Sequence, residues 1–161
     1  MRNFVFAAFI FVSVCVLTAL SAEAQTVTGS LGNGKVTRGK AAKGTIEMTI
    51  PGGLHVNSNR PSSEYAIPTV VTLNVTGARV GNVIYPRGKN RKFQFSENPI
   101  NVYEGRVRFP FTVMVPANAR GNVRVRASVR YQACTDEVCY PPRTKSVVIT
   151  ARVSQVVSSK Q

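Results

Sequence analysis

Two cysteines stand close together in Tyr131-Gln132-Ala133-Cys134-Thr135-Asp136-Glu137-Val138-Cys139-Tyr140-Pro141-Pro142. Thiols this near in sequence can close into a disulfide with only local chain movement, so they can be oxidised and reduced while the rest of a fold stays in place. That is the chemistry of a redox site. The same pair can also be a structural clamp, the common fate of two cysteines in an exported protein. As a clamp it is weak, because closing so short a loop removes only about 2 kcal/mol of unfolded-chain entropy. Asp136 and Glu137 lie between the cysteines, where like charge disfavours a thiolate. Tyr140 and the two prolines add apolar cover in the same direction. The reduced pair is therefore expected to stay quiet until a docked partner changes its surroundings. Two cysteines and His55, the sole histidine, are an incomplete ligand set, so neither metal nor cofactor is expected.

The start of the chain bears on which redox conditions the thiols meet. Arg2 supplies a positive flank, Phe4 to Leu20 is an almost unbroken apolar run, and Ala22-Glu23-Ala24 has the small-x-small form of a cleavage site. Residues 1–24 are read as a secretory signal peptide, with mature chain from about Gln25 in the periplasm or outside the cell. Cys15 falls inside the apolar run and leaves with it. No second hydrophobic span follows, so no transmembrane segment is expected after cleavage.

Residues 25–161 suffice for one domain with a sizeable core. The full chain has 21 Lys and Arg against 7 Asp and Glu, a net charge of +14. Removing Arg2 with Glu23 leaves that balance unchanged. A field of this sign attracts anionic partners. The aromatic-basic motifs of nucleic-acid modules are absent, so nucleic acid is not an expected partner. Anionic lipid headgroups, envelope polymers or an acidic protein remain, beside a basic surface that only keeps the chain soluble. No Ser-His-Asp set, paired-carboxylate site or phosphate-binding glycine loop supports a hydrolase or transferase.

Period-two alternation runs through the mature chain and predicts strands. Over Arg106–Val115, Val107, Phe109, Phe111, Val113 and Val115 share a face. Over Asn122–Tyr131, Val123, Val125, Ala127, Val129 and Tyr131 alternate with Arg124, Arg126, Ser128 and Arg130. Val147, Ile149, Ala151 and Val153 repeat the pattern in Ser146–Val153. Further strands are predicted over Thr45–Ile50, Leu54–Ser58, Thr69–Val75 and Arg79–Tyr85. Proline- and glycine-containing turns separate them. Seven to nine short strands argue for an all-β fold, an immunoglobulin-like antiparallel β-sandwich over 44–154. Residues 25–43 are expected as a flexible basic arm or an edge strand, and 155–161 as a disordered tail. Cys134 and Cys139 then fall in the connection between two strands, where both should be accessible.

The cysteine segment through Arg143, together with Gly53-Leu54-His55-Val56-Asn57-Ser58-Asn59-Arg60-Pro61 and Tyr65-Ala66-Ile67-Pro68-Thr69, resembles the amino-terminal periplasmic domain of the DsbD thiol-disulfide interchange proteins. The likeness extends over roughly Gly44 to Val153. It implies an immunoglobulin-like fold and a thiol-disulfide oxidoreductase in which Cys134 and Cys139 are the redox pair, with Cys139 the one attacked in mixed disulfides. It also implies a cap loop over 91–98, with Phe95 as the shielding aromatic and Phe93 in reserve. His55 and Asn57 fall where the family places residues beside the cysteines, and Tyr131 flanks the pair. The implied partners are a membrane reductase or thioredoxin-like donor and an isomerase-like acceptor, with the domain itself a monomer. Two departures stand out. Four residues separate these cysteines where well-known members have five, and no counterpart of the transmembrane or thioredoxin-like domains is seen, so a separate protein is expected as reductant. The other reading open to the chain is a non-catalytic immunoglobulin-like binding module with a structural disulfide and a basic face.

Overall fold

A computed structural model of the chain describes residues 25–154; the expected signal peptide and tail lie outside the described residues. In chain order the strands are β1 (Thr26–Leu31), β2 (Lys35–Thr37), β3 (Ala41–Thr49), β4 (His55–Asn57), β5 (Val70–Thr76), β6 (Arg79–Val80), β7 (Lys89–Arg91), β8 (Ile100–Tyr103), β9 (Arg106–Met114), β10 (Asn122–Tyr131), β11 (Ala133–Cys134) and β12 (Arg143–Ser154). Among the described residues there is no α-helix, and so none long and apolar enough to cross a membrane. The fold is all-β and of immunoglobulin-like type.

Two four-stranded sheets, in the orders β1-β3-β9-β6 and β2-β12-β10-β5, close over one core. Alternation places the side chains as it predicts. Val107, Phe109, Phe111 and Val113 of β9 are buried between exposed Arg106, Arg108 and Pro110, and Val123, Val125, Ala127, Val129 and Tyr131 of β10 are buried between exposed arginines. Ile46, Met48, Ile149 and Ala151 complete the interior. Burying each such side chain contributes about 1.5–3 kcal/mol, and this is what holds the two sheets face to face.

The folded unit begins well before Gly44. Of the two forms expected for residues 25–43, the edge strand is the one present: they hold β1 and β2, each at the edge of a large sheet, and the start of β3, with Leu31 and Val36 in the core. The predicted strand over Arg79–Tyr85 shrinks to β6. Ile84 still donates its N–H to the Pro110 carbonyl. Pro110 has no N–H to return, so the ladder against β9 cannot continue there.

A third sheet, ordered β11-β4-β8-β7, lies outside the sandwich alternation, and three of its four strands have no predicted counterpart. Its strands are two to four residues long, too short to show a period. A separate apolar cluster of Phe93, Ile100 and Val102, with Ala66 against it, lies under this sheet's loops.

Gly44 shows how tightly the large sheets are packed. It sits opposite Phe111 across the β3–β9 ladder, and a Cβ built there would lie 2.3 Å from the Phe111 ring, itself buried. The ring occupies the space that glycine leaves. Gly44→Ala is expected to cost about 1–3 kcal/mol through overpacking. The check is a urea midpoint lowered at constant m-value; an unchanged midpoint would show that the ring moves aside freely.

Candidate redox site

Strand β10 carries the chain out of the core and into the cysteine hairpin. Its last residue, Tyr131, is almost fully buried, with its hydroxyl donating to Gln25 Oε1 at 3.2 Å, and burial raises its pKa. One residue later β11 pairs with β4, which places Cys134 opposite His55 and Ala133 opposite Val56. The chain then reverses. Thr135 N–H donates to the Val138 carbonyl at 2.8 Å, Tyr140 N–H donates to Ala133 at 2.8 Å, and Cys134 and Cys139 face each other as a bridge pair. Thr135 Oγ1 accepts from the N–H groups of Glu137 and Val138, the side-chain-to-backbone turn that threonine favours. A four-residue turn thus brings the cysteine Cα atoms to 4.0 Å, and the two sulfurs are bonded.

The partners in this disulfide differ in exposure. Cys134 has no accessible surface, whereas Cys139 is exposed. The expectation that both are accessible therefore fails for Cys134, because a strand pairing that the sequence hides covers it.

Over the buried side of the hairpin lies a stack of three rings. His55 packs on Phe93 at 4.3 Å between centroids, and Phe93 packs on Phe95 at 5.1 Å. Phe93 is buried and Phe95 is 46% exposed, so the inner ring nearest Cys134's neighbour is Phe93. Arg91 binds this stack to the hairpin. Its guanidinium lies 5.5 Å from the Phe93 ring centre, pairs with Glu104, and reaches Asp136 at 3.3 Å. Asp136 is therefore partly compensated and, like Glu137, exposed, which weakens the bias against a thiolate expected from these two residues. Tyr140 is 46% exposed and gives little apolar cover.

Side-chain amides, one of them buried, hold the other flank. Asn57 Nδ2 donates to the Ile67 carbonyl and to Gln132 Oε1, both at 3.1 Å, and Gln132 Oε1 also accepts from Ile67 N–H at 3.4 Å. Thr69 Oγ1 donates to the Asn57 carbonyl at 2.6 Å. Tyr103, buried on β8, donates its hydroxyl proton to Asn59 Oδ1 at 2.7 Å, with the Pro86 carbonyl as a second acceptor within reach at 3.1 Å. Asn57 thus pins the 58–68 loop to the cysteine hairpin. Between that loop and 95–100 runs a groove of about 710 Å³, with Tyr65 and Phe95 on its sides and Cys139 at its edge.

Electrostatics follow from this packing. Burial holds the His55 pKa below its ordinary value; Asp136 and Glu104 pull it up and Arg91 pushes it down, without reversing the outcome. The imidazole beside Cys134 is therefore neutral near pH 7. Burial pushes the Glu104 carboxyl up, but hydrogen bonds and charge from Lys89 and Arg91 outweigh it and leave the pKa lowered.

A family profile described as "Thiol:disulfide interchange protein DsbD, N-terminal" matches residues 30–151. The chain belongs to the DsbD amino-terminal family. A DsbD from Pseudoalteromonas atlantica is 31% identical over 75 residues, 46% of this chain but only 12% of that protein, so the chain spans a small part of that relative's length. Among solved structures, the N-terminal periplasmic domain of ScsB from Proteus mirabilis shares the fold, with TM-score 0.53 and 15% identity over 82% of this chain and 48% of that one. The DsbD N-terminal domain of Neisseria meningitidis, in reduced form, gives TM-score 0.45 and 16% identity over 68% and 77%.

Membership of the DsbD family starts at residue 30, inside β1, earlier than the likeness at Gly44 suggests. The structure gathers Cys134, Cys139, His55, Asn57, Phe93, Phe95 and Asp136 around the third sheet and the cysteine hairpin. Arg91, expected only as the start of the cap loop, Gln132, expected only as a flank of the motif, and Tyr103 and Thr135 join them. Gln132 stood in plain view beside Tyr131, and a threonine heading an acidic turn was a readable signal for Thr135.

Two outcomes test this assembly. Gln132→Ala leaves the buried Asn57 amide and the half-buried Ile67 N–H without their shared acceptor, so unfolding free energy should fall by about 1–2 kcal/mol and amide exchange should speed up across 58–68. His55 contributes full stability above its ordinary pKa of 6.5, and stability should be lost as pH falls from there through the lowered folded value. Urea midpoints across that range read the slope, and His55→Phe, which keeps a ring against Phe93, should flatten it.

Proposed function

We propose that this domain is a periplasmic thiol-disulfide carrier that passes two electrons to partner proteins through Cys134 and Cys139. The observation that carries the reading is the asymmetry of the pair: one sulfur open at a groove edge, the other buried directly behind it. Starting from the dithiol, the Cys139 thiolate attacks one sulfur of a partner disulfide, and the partner's other cysteine leaves as a thiolate. The Cys134 thiolate then attacks Cys139 Sγ and releases the partner's first cysteine. The partner gains two electrons and two protons, and the domain ends as the Cys134–Cys139 disulfide.

The donor that restores the dithiol runs the same exchange in reverse, and family membership supports a membrane reductase or thioredoxin-like protein in that role. An isomerase-like protein fits as acceptor. Phe95, on the groove wall and half exposed, is placed to be displaced by a docking partner, while Phe93 remains fixed on His55.

Cys134→Ala leaves Cys139 able to attack and unable to be released, so this variant should accumulate mixed disulfides visible on non-reducing gels. Cys139→Ala should capture none, because its remaining thiol is buried. Equal capture by both, or by neither, would sink the assignment. A reduction potential of roughly −200 to −270 mV fits a carrier, whereas one below about −300 mV would mark the disulfide as a structural clamp.

A further inference from the structure

Outward-facing cations are distributed unequally between the two large sheets. On β1-β3-β9-β6, Arg106 and Arg108 both pair with Glu47, and exposed Lys43 and Arg79 stand on the same sheet outside any ion pair. The outer face of β2-β12-β10-β5 has no such partner. Arg124, Arg126 and Arg130 stand exposed along β10, with Arg152 of β12 and Lys35 of β2 side by side at one end. Their neighbours in register are Thr150 and Thr76 beside Arg124, Val148 and Asn74 beside Arg126, and Thr144 and Val70 beside Arg130. No acidic residue lies on these four strands, and every ion pair among the described residues lies elsewhere.

We infer that this face is a docking surface for anionic phospholipid headgroups. Arginine matches phosphate oxygens with a planar fork of donors, and the interleaved hydroxyl and amide side chains add further donors. The row from Arg124 to Arg130 spans about 20 Å on a rigid central strand, enough to meet several headgroups at once. Val148 and Val70, 56% and 41% exposed between the arginines, can enter the interfacial layer. The face has no aromatic residue and none of its five cations lines a described groove, so it lacks the aromatic side chains and pockets that protein–protein interfaces use together with arginine. A flat charged sheet without a pocket fits an extended anionic surface. Arg130 immediately precedes Tyr131, so a domain lying on this face holds its cysteine hairpin at the margin of the contact. This inference does not rest on the redox reading.

The test uses residues 25–161, which contain the whole described fold, with vesicles of equal parts phosphatidylglycerol and phosphatidylcholine, and phosphatidylcholine alone as control. Binding is expected only to the anionic vesicles and should disappear at high salt. Replacing all three β10 arginines with serine should weaken it on the order of 100-fold, about fivefold per arginine. If that variant fails to fold, Thr72→Glu with Thr150→Glu places anions on the same face and should weaken binding as clearly. Absence of binding at low salt, or equal binding by folded variants, overturns the inference. Tighter binding to soluble polyglutamate than to vesicles also overturns it, in favour of an acidic protein.

Discussion

The redox site depends on the junction where β10 stops being part of the sandwich and β11 starts being part of something else. Two residues of ladder join β11 to β4, and isolated pairings that short are not stable in water. Side chains supply what the ladder lacks. Gln132, the one residue between the strands, joins the network with Asn57 and Ile67, while Tyr131 on one side is locked into the core and Cys134 on the other faces His55. Among the described residues no buried side-chain polar atom lacks a partner, so this polar network stiffens the junction and leaves no uncompensated group.

That construction separates stability from chemistry. The sandwich holds most of the buried apolar residues, and the third sheet has a small cluster of its own and exposed loops. Local opening should therefore be easiest around 58–68 and 92–98, which frame the groove beside Cys139, while the strands carrying Tyr131 and Val129 open last. A carrier needs this arrangement, since partners must reach one sulfur repeatedly without loosening the core. Arg91 sets the strength of the latch: tied to Glu104 by a part-buried pair and stacked on buried Phe93, it reaches the hairpin through an exposed, individually weak contact with Asp136.

The sandwich was legible in the sequence because β9, β10 and β12 are long and buried on one face only, which writes a clean period of two. Of the third sheet only β4 was, inside the strand expected over Leu54–Ser58. β7, β8 and β11 are two to four residues long, too short to show an alternation. Cys134, read as a loop residue, is a strand residue for that reason. The cysteines, His55 and the aromatic pair could be named from residue type and family likeness, but their order in the stack could not. Phe93 and Phe95 share a strand-like spacing, and only the position of β4 decides which of them meets His55. Arg91 was beyond reach because its three partners lie 2, 13 and 45 residues away.

The four-residue turn bears on the chemistry more than its length suggests. Thr135 closes it by accepting two backbone N–H groups, which leaves Asp136, Glu137 and Val138 pointing into solvent and Cys139 at the groove. On the proposed reading the order of events then follows from access and does not require a large difference in thiol acidity. A partner sulfur can reach Cys139 and has no path to Cys134. Once the mixed disulfide forms, Cys134 is already within bonding distance on a strand that need not move. On that same reading burial accounts for attack by one cysteine and resolution by the other, with the charged turn between them open to approaching partners.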